Sequence, residues 1–186
     1  MVESSLISTD DFWAMLKEIC SVTTSLVRVL RLVDSDRPTM GYLYEAMARA
    51  KEAIMHYYID HLDEDNEFGN KHMAFWDLID ECWWNMLYCP IHEAGAILNP
   101  ILYFAPNTKY KTDTHANVGL TKCVAGMVQD PTTQSKIFKE LESYKHSRGL
   151  FGYRSTREAH FTIAPGEKIS KFMHYFQLSK FIHLGI

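Results

Sequence analysis

Apolar side chains recur at intervals of three and four residues along most of the chain, which is the spacing of amphipathic helices. The first run covers 12–33 and follows Thr9 and Asp10, two residues that can cap a helix. A second run covers 40–62 and follows a polar break that ends in Pro38. The pattern therefore predicts two long helices at the start of the chain.

A third helix is predicted over 70–88, where the apolar residues form two stripes. One stripe contains Met73, Trp76, Ile79, Trp83 and Leu87, and the other contains Phe75, Leu78, Cys82 and Met86. Because a helix that is apolar on two sides is usually buried on both, we expect this helix to lie inside a core. On this interpretation Trp76 and Trp83 are core residues, whereas Trp84 faces away from its neighbours and is exposed.

The rest of the chain predicts shorter helices. A helix over 90–98 ends at Asn99-Pro100, and 101–118 reads as a loop before another helix over 120–128. Asp130 followed by Pro131 is a strong helix start, and this helix ends before Gly149. A last amphipathic helix is expected near 169–176. The strand-like pieces, 101–104 and 161–164, are isolated, so the predicted fold is mainly α, with little or no sheet.

Composition and charge narrow the class of protein. The chain has 186 residues, of which 47% are hydrophobic and 23% charged, as expected for one folded domain. Its net charge of −4 excludes a globally basic nucleic-acid binder. The charge is uneven, however, because 1–108 holds 7 Lys and Arg against 17 Asp and Glu, whereas 109–186 holds 12 against 6. Only the second half therefore favours contact with a polyanion.

The four cysteines, Cys20, Cys82, Cys89 and Cys123, form no C-x-x-C pair. Their spacing suits neither a zinc finger nor a disulfide framework, so we interpret them as free buried thiols of a reducing compartment. The first residues show no secretory signal, and no apolar stretch is long enough to span a membrane. The expectation is an intracellular protein, nuclear or cytoplasmic, with no membrane contact.

The acidic and histidine-rich positions do not match known metal sites. The run 63–67 fails as a calcium loop, because Phe68 and Ala74 stand where glycine and glutamate are required. His56, Asp60 and His61 lie close together in sequence but do not form an H-E-x-x-H motif. We therefore predict no resident metal ion, no cofactor and no small-molecule substrate.

Two pairs of aspartates also resemble the carboxylates of a two-metal nuclease, which must converge on ions about 4 Å apart. Asp10-Asp11 and Asp34 with Asp36 both lie at predicted helix ends, where aspartate caps the backbone and opposes the helix dipole. No nucleophile elbow or phosphate-binding glycine loop is present. The residues alone therefore assign no catalytic group.

A basic segment offers the one candidate binding surface. It contains Lys136, Lys139, Lys145, Arg148, Arg154 and Arg157. We take Lys145, Arg148, Arg154 and Arg157 as candidate phosphate contacts, because cations there release counterions from nucleic acid. Trp84 is added as a side chain that can stack on a base. The alternative is that these charges form an ordinary solvated helix face.

Three stretches carry a resemblance to a known family. The first is Ser25-Leu-Val-Arg-Val-Leu-Arg-Leu-Val-Asp-Ser-Asp-Arg-Pro-Thr-Met-Gly-Tyr-Leu-Tyr-Glu-Ala-Met47, continuing to Ile54. The second runs from Trp83-Trp84 through Pro90-Ile-His92-Glu-Ala94 to Leu98-Asn99-Pro100, and the third is Tyr144-Lys-His-Ser-Arg-Gly-Leu-Phe-Gly152. In this order and spacing they resemble plant hAT-superfamily transposases and the domesticated proteins derived from them.

The resemblance covers about 12–165 and implies a position within the family's architecture. The matching motifs belong to the helical insertion of an RNase H-like catalytic domain, so 1–165 is expected to be this helical region and 166–186 a divergent, helical tail. The family's two catalytic aspartates would precede residue 1 and its catalytic glutamate would follow the chain. The resemblance therefore implies a non-catalytic, nuclear fragment that associates with DNA or with a homologous hAT-like chain.

The chain also departs from the family pattern. Cys82 stands beside Trp83 where the family has a basic residue, and the Trp-Trp pair and Tyr-Gly expected after Pro165 are missing. Two other interpretations stay open. One is a cryptic metal-dependent nuclease or hydrolase that uses the His and Asp groups, and the other is a decaying transposon remnant without activity.

Overall fold

The computed structural model describes residues 10–35, 39–60 and 71–153, and every regular element in these ranges is helical. The predicted mainly α fold is confirmed to that extent. The helices are α1 (Asp10–Val33), α2 (Met40–Asp60), α3 (Lys71–Cys82), α4 (Pro90–Leu98), α5 (Pro100–Tyr103), α6 (Thr114–Met127) and α7 (Pro131–Lys145). A π-helical turn, Trp83–Leu87, extends α3, and 3₁₀ turns lie at Lys109–Lys111 and Gly149–Gly152.

The described chain divides into two compact units. Unit 1 consists of Met1–Asp34 and Glu45–Tyr88, and unit 2 consists of Ser35–Tyr44 and Cys89–Ile186. Of the predicted features, the cap at Thr9, the acidic run 63–67, the piece 161–164 and the tail 166–186 lie outside the described residues. Within the described ranges, no helix combines the length and apolar character needed to cross a membrane.

Unit 1 is built from α1, most of α2, α3 and the π-helical turn. Its core cluster is small and consists of Val22, Ile54 and Tyr58, against which Phe75 and Ile79 pack. The hydroxyl of Tyr58 donates to Glu18 Oε1 at 2.7 Å, which ties α2 to α1. Burial, followed by the hydrogen bond to Glu18, raises the pKa of Tyr58 well above 10. This phenol therefore stays protonated and keeps donating over the ordinary pH range.

The prediction that α3 is buried on two sides is wrong. In the stripe that contains Trp76 and Trp83, only Trp83 is buried. Trp76 is half-buried, so this stripe is only partly covered. The exposed members of the two stripes are Met73, Leu78, Cys82, Met86 and Leu87. The reason lies in the packing of unit 1, where α3 meets α2 through one side, with Trp76 Nε1 donating to the Lys51 carbonyl at 2.9 Å.

Unit 2 has the larger core, formed by α4 to α7 and the two 3₁₀ turns. Its buried members are Ala94, Ala96, Ile97, Leu98, Leu102, Tyr103, Tyr110, Ala116, Leu120, Cys123, Val124, Ile137, Leu141 and Tyr144. The Tyr144 hydroxyl is fully buried and donates to the Ile97 carbonyl at 3.0 Å, which joins α7 to α4. The apolar face predicted for α7 is therefore confirmed as a core face.

Helix caps explain where the elements of unit 2 begin. Asp130 accepts hydrogen bonds from the backbone N–H groups of Thr132 and Thr133, so α7 starts where the sequence predicts. The loop predicted over 101–118 is wrong for much of its length. Asn99 caps α5 by accepting from Ile101 N, and Asp113 caps α6 by accepting from Ala116 N. The strand-like piece 101–104 is accordingly helical at Pro100–Tyr103.

Candidate functional site

Of the candidate phosphate contacts, Lys145 lies at the end of α7 and Arg148 just after it, and the neighbouring cations Lys136 and Lys139 also lie on α7. Lys136 and Lys139 are exposed and three residues apart, so they share one side of the helix. Lys145 is half-buried, and its Nζ donates to Asn117 Oδ1 on α6 at 2.8 Å. Lys145 therefore supports the packing of α7 on α6, and its charge is less accessible than the sequence suggested.

Arg148 is held by the turn that ends α7. Ser147 adopts the left-handed conformation with φ of 49°, and its N–H donates to the Tyr144 carbonyl at 2.9 Å. The N–H of Arg148 donates to the Ser143 carbonyl at 2.7 Å, which completes a Schellman motif. The backbone of Arg148 is thus fixed while its side chain is exposed. Arg154 and Arg157 lie outside the described residues.

In segment 89–153 the exposed side chains carry a net charge of +3, slightly more positive than the +2 of the segment as a whole. Segment 89–153 holds seven Lys and Arg and five Asp and Glu. Three of the acids serve the fold, since Glu93 is buried and Asp113 and Asp130 cap helices. The hydrogen bonds from the Thr133 side chain and from Thr133 and Thr132 N–H lower the pKa of Asp130. The exposed cations are Lys109, Lys111, Lys122, Lys136, Lys139 and Arg148, against the exposed acids Asp130, Glu140 and Glu142.

Trp84 lies in the π-helical turn of unit 1, whereas the described candidate cations belong to unit 2. Its side chain is 42% exposed, which confirms the prediction that it faces outward. The ring centroid is 4.6 Å from that of Tyr88. Trp84 therefore presents an aromatic surface that is already supported by a second ring.

A buried carboxylate on α4 is the main feature that sequence reasoning missed. Glu93 is 0% exposed, and its Oε1 lies 2.5 Å from Nδ1 of His115 on α6. The two helices approach closely here. A Cβ added to Gly119 would lie only 1.5 Å from Glu93 Oε2. The available signal was a single carboxylate in the stretch 91–98, which is apolar apart from Glu93 and His92, since buried charges are usually paired.

Two polar side chains of unit 2, Tyr44 and His92, have pKa values shifted mainly by their own burial. Burial raises the pKa of Tyr44 to about 12, with smaller contributions from the negative charges of Asp113 and Glu93. Burial also lowers the pKa of His92, whose Nδ1 accepts from Cys89 N–H at 3.3 Å. A carboxylate that orients an imidazole is an arrangement found in general-base sites. Here the carboxylate of Glu93 is completely buried between α4 and α6. This burial is consistent with a structural role, in which the Glu93–His115 pair holds the two helices together.

The other candidate groups are scattered. His56 and Asp60 are exposed on α2, and His61 lies outside the described residues. Within the ranges that the structure describes, no cluster of three His, Cys, Asp or Glu side chains could hold a metal ion. Asp34 lies in the turn after α1, and Asp36 is not described.

The expectation of buried thiols is correct only for Cys123. Burial raises the pKa of its thiol to about 11, so it stays protonated and packs as a small apolar side chain. Cys20, Cys82 and Cys89 are free and exposed.

Comparison with protein-family models, with curated proteins and with solved structures found no match to this chain. The resemblance to hAT transposases therefore rests on the sequence motifs alone. What the described residues define is a mainly helical protein.

Proposed function

We propose that the chain is the helical part of a hAT transposase-like protein and acts without catalysis, by associating with DNA through unit 2. The observation that carries this proposal is the division of charge in that unit. Six cations of segment 89–153 face solvent, against the three exposed acids Asp130, Glu140 and Glu142. Such a surface attracts a polyanion through counterion release and needs no base-specific pocket.

The fixed position of Arg148 adds to this argument. Its backbone is held in the Schellman turn, so ordering the guanidinium on a phosphate costs only side-chain freedom. Lys139 lies on the last two turns of α7, on the same segment of chain. The predicted binding segment therefore begins on a rigid element.

The test is the binding of a fluorescently labelled DNA duplex, measured by anisotropy over a series of salt concentrations. Charge reversal of Lys139→Glu together with Arg148→Glu should weaken binding by at least about tenfold at low salt. It should also flatten the salt dependence, since each lost phosphate contact removes about 0.9 from the logarithmic slope. A triple variant, Arg148→Gln with Arg154→Gln and Arg157→Gln, tests the rest of the predicted segment.

Lys17→Glu is the control for charge. Lys17 is exposed on α1 in unit 1, and its reversal changes the net charge without touching unit 2. We expect this variant to bind nearly as well as the unaltered chain. Equal binding by the double variant and the control, or no retention of the unaltered chain on DNA at low salt, would contradict the proposal.

The absence of catalysis is tested on the same duplex. Incubation with Mg²⁺ should leave the DNA intact, because Asp10 and Asp34 lie at opposite ends of α1 and no metal-binding cluster of three such side chains occurs among the described residues. Cleavage that depends on Mg²⁺ and disappears with Asp34→Asn or Asp36→Asn would overturn this part of the proposal.

A further inference from the structure

One face of α1 carries a second hydrophobic pattern that its own unit does not use. The residues of this pattern are spaced alternately by four and three positions along α1. They are Phe12, Leu16, Ile19, Thr23, Leu26, Leu30 and Val33. We refer to these seven residues as the α1 seam. This is the heptad spacing with which one helix packs along another in a coiled coil.

The α1 seam is separate from the face that packs inside unit 1. Val22 and Val29 are buried at 3% and 9% exposure, and Glu18 on the same side accepts the Tyr58 hydrogen bond. The α1 seam, in contrast, leaves Phe12 46% and Leu30 58% exposed. These two faces lie next to each other around the helix, so α1 can keep its internal packing while a partner covers the seam.

The polar member of the α1 seam is compatible with burial. The hydroxyl of Thr23 donates to the Ile19 carbonyl at 2.7 Å, so it keeps a partner when water is removed. A single polar residue at such a position fixes the register of two paired helices at some cost in stability. Thr23 lies at the middle of the α1 seam, with three apolar positions on each side.

The charges beside the α1 seam are compatible with a second copy of this chain as its occupant. The residues that flank the α1 seam include Met15, Cys20 and Val27, which are uncharged, whereas Lys17 and Arg28 lie on the other side of the helix. Two identical helices can therefore approach without like-charge repulsion.

The exposed apolar area along the α1 seam is large enough for a specific dimer interface. The exposed parts of the apolar seam residues, with those of Met15 and Val27, amount to roughly 600 Å² per chain. Two copies would thus bury about 1,200 Å², which is the lower end for a stable interface. We propose that the α1 seam pairs with the α1 seam of a second copy of this chain. This inference goes beyond the DNA association proposed above and does not depend on it.

The first test is the molar mass of the full chain by sedimentation equilibrium over a range of concentrations. The unaltered chain should form a dimer that dissociates on dilution, and Leu30→Glu should shift it to monomer across the range. Leu78→Glu is the matched control, because Leu78 is 59% exposed on α3 and lies outside the α1 seam. This control should dimerise like the unaltered chain, and far-UV circular dichroism should show that both variants keep their helices.

Cross-linking provides a second readout that does not depend on a destabilising change. In a chain with Cys20, Cys82 and Cys89 replaced by serine, Thr23→Cys should give a disulfide-linked dimer on mild oxidation. Leu78→Cys in the same chain should give far less. A monomeric unaltered chain, a dimer that survives Leu30→Glu, or equal cross-linking at both positions would overturn the proposal. A dimer that survives Leu30→Glu would mean that the copies associate through another surface.

Discussion

At the scale of single residues, burial rather than sequence position decides which side chains carry unusual chemistry. Tyr44, Tyr103 and Tyr144 all have a pKa raised by burial in unit 2. For Tyr44 the charges of Asp113 and Glu93 add to this effect, because a phenolate beside carboxylates is disfavoured. The fold of unit 2 therefore depends on phenols that stay protonated.

This dependence predicts the behaviour of the protein in alkali. The pKa of Tyr44 is about 12 in the folded chain and 10 when unfolded, so its contribution to stability is complete below pH 10 and is lost as the pH rises towards 12. Tyr44→Phe should reduce the loss of unfolding free energy over that interval, as measured by urea titrations at several pH values. It should not abolish the loss, since the other buried tyrosines respond in the same direction.

Tyr153→Phe is the comparison for this measurement, because Tyr153 is 63% exposed in the same unit. It should leave the alkaline slope as it is in the unaltered chain. If Tyr44→Phe and Tyr153→Phe give the same slope, the buried position of Tyr44 has no influence on alkaline unfolding.

At the scale of elements, local signals in the sequence were enough for some helices and not for others. The start of α7 was predictable because Asp130 and Pro131 act within one turn of chain. The short α5 was missed because a four-residue helix has almost no periodicity, and its cap depends on Asn99, which is buried and donates to the Gly41 carbonyl at 3.1 Å. The pairing of Glu93 with His115 joins positions far apart in sequence, so no periodic pattern reports it.

The packing of α4 on α6 yields a matched pair of substitutions on one helix. Gly119→Ala would place a Cβ 1.5 Å from Glu93 Oε2 and 2.8 Å from Glu93 Cβ, so the buried carboxylate must move away from His115. We expect this change to lower the free energy of unfolding by about 1–3 kcal/mol. Gly126→Ala on the same helix meets no atom within 4 Å and should raise it by about 0.5–1 kcal/mol.

Urea denaturation of the two variants measures both effects. If both changes lower the free energy of unfolding, alanine is unfavourable along this helix in general. The close approach of Gly119 to Glu93 would then not explain the effect of Gly119→Ala. Gains from both would show that the carboxylate can relax without cost.

At the scale of the whole molecule, the two units differ in how much they bury. Among the residues that the structure describes, the core cluster of unit 1 contains three buried residues, whereas that of unit 2 contains fourteen. Composition and periodicity did not reveal this difference, because the apolar residues of α1 and α3 are as numerous as those of a buried helix. In unit 1 many of them remain at the surface, including Met73, Leu78 and Met86. The same residues that predicted a core thus supply the apolar surface from which self-association is inferred.

This difference in burial predicts that the two units open at different rates. In native-state hydrogen exchange, the backbone amides of Val22 and Ile54 in unit 1 should exchange faster than those of Leu120 and Tyr144 in unit 2, because local opening is easier where fewer apolar contacts are lost. Ile54→Ala should cost about 2–5 kcal/mol and accelerate exchange in α1, α2 and α3 while leaving α6 and α7 protected. Exchange at one common rate in both units, or acceleration of α6 by Ile54→Ala, would mean that the chain unfolds as a single cooperative body despite its unequal cores.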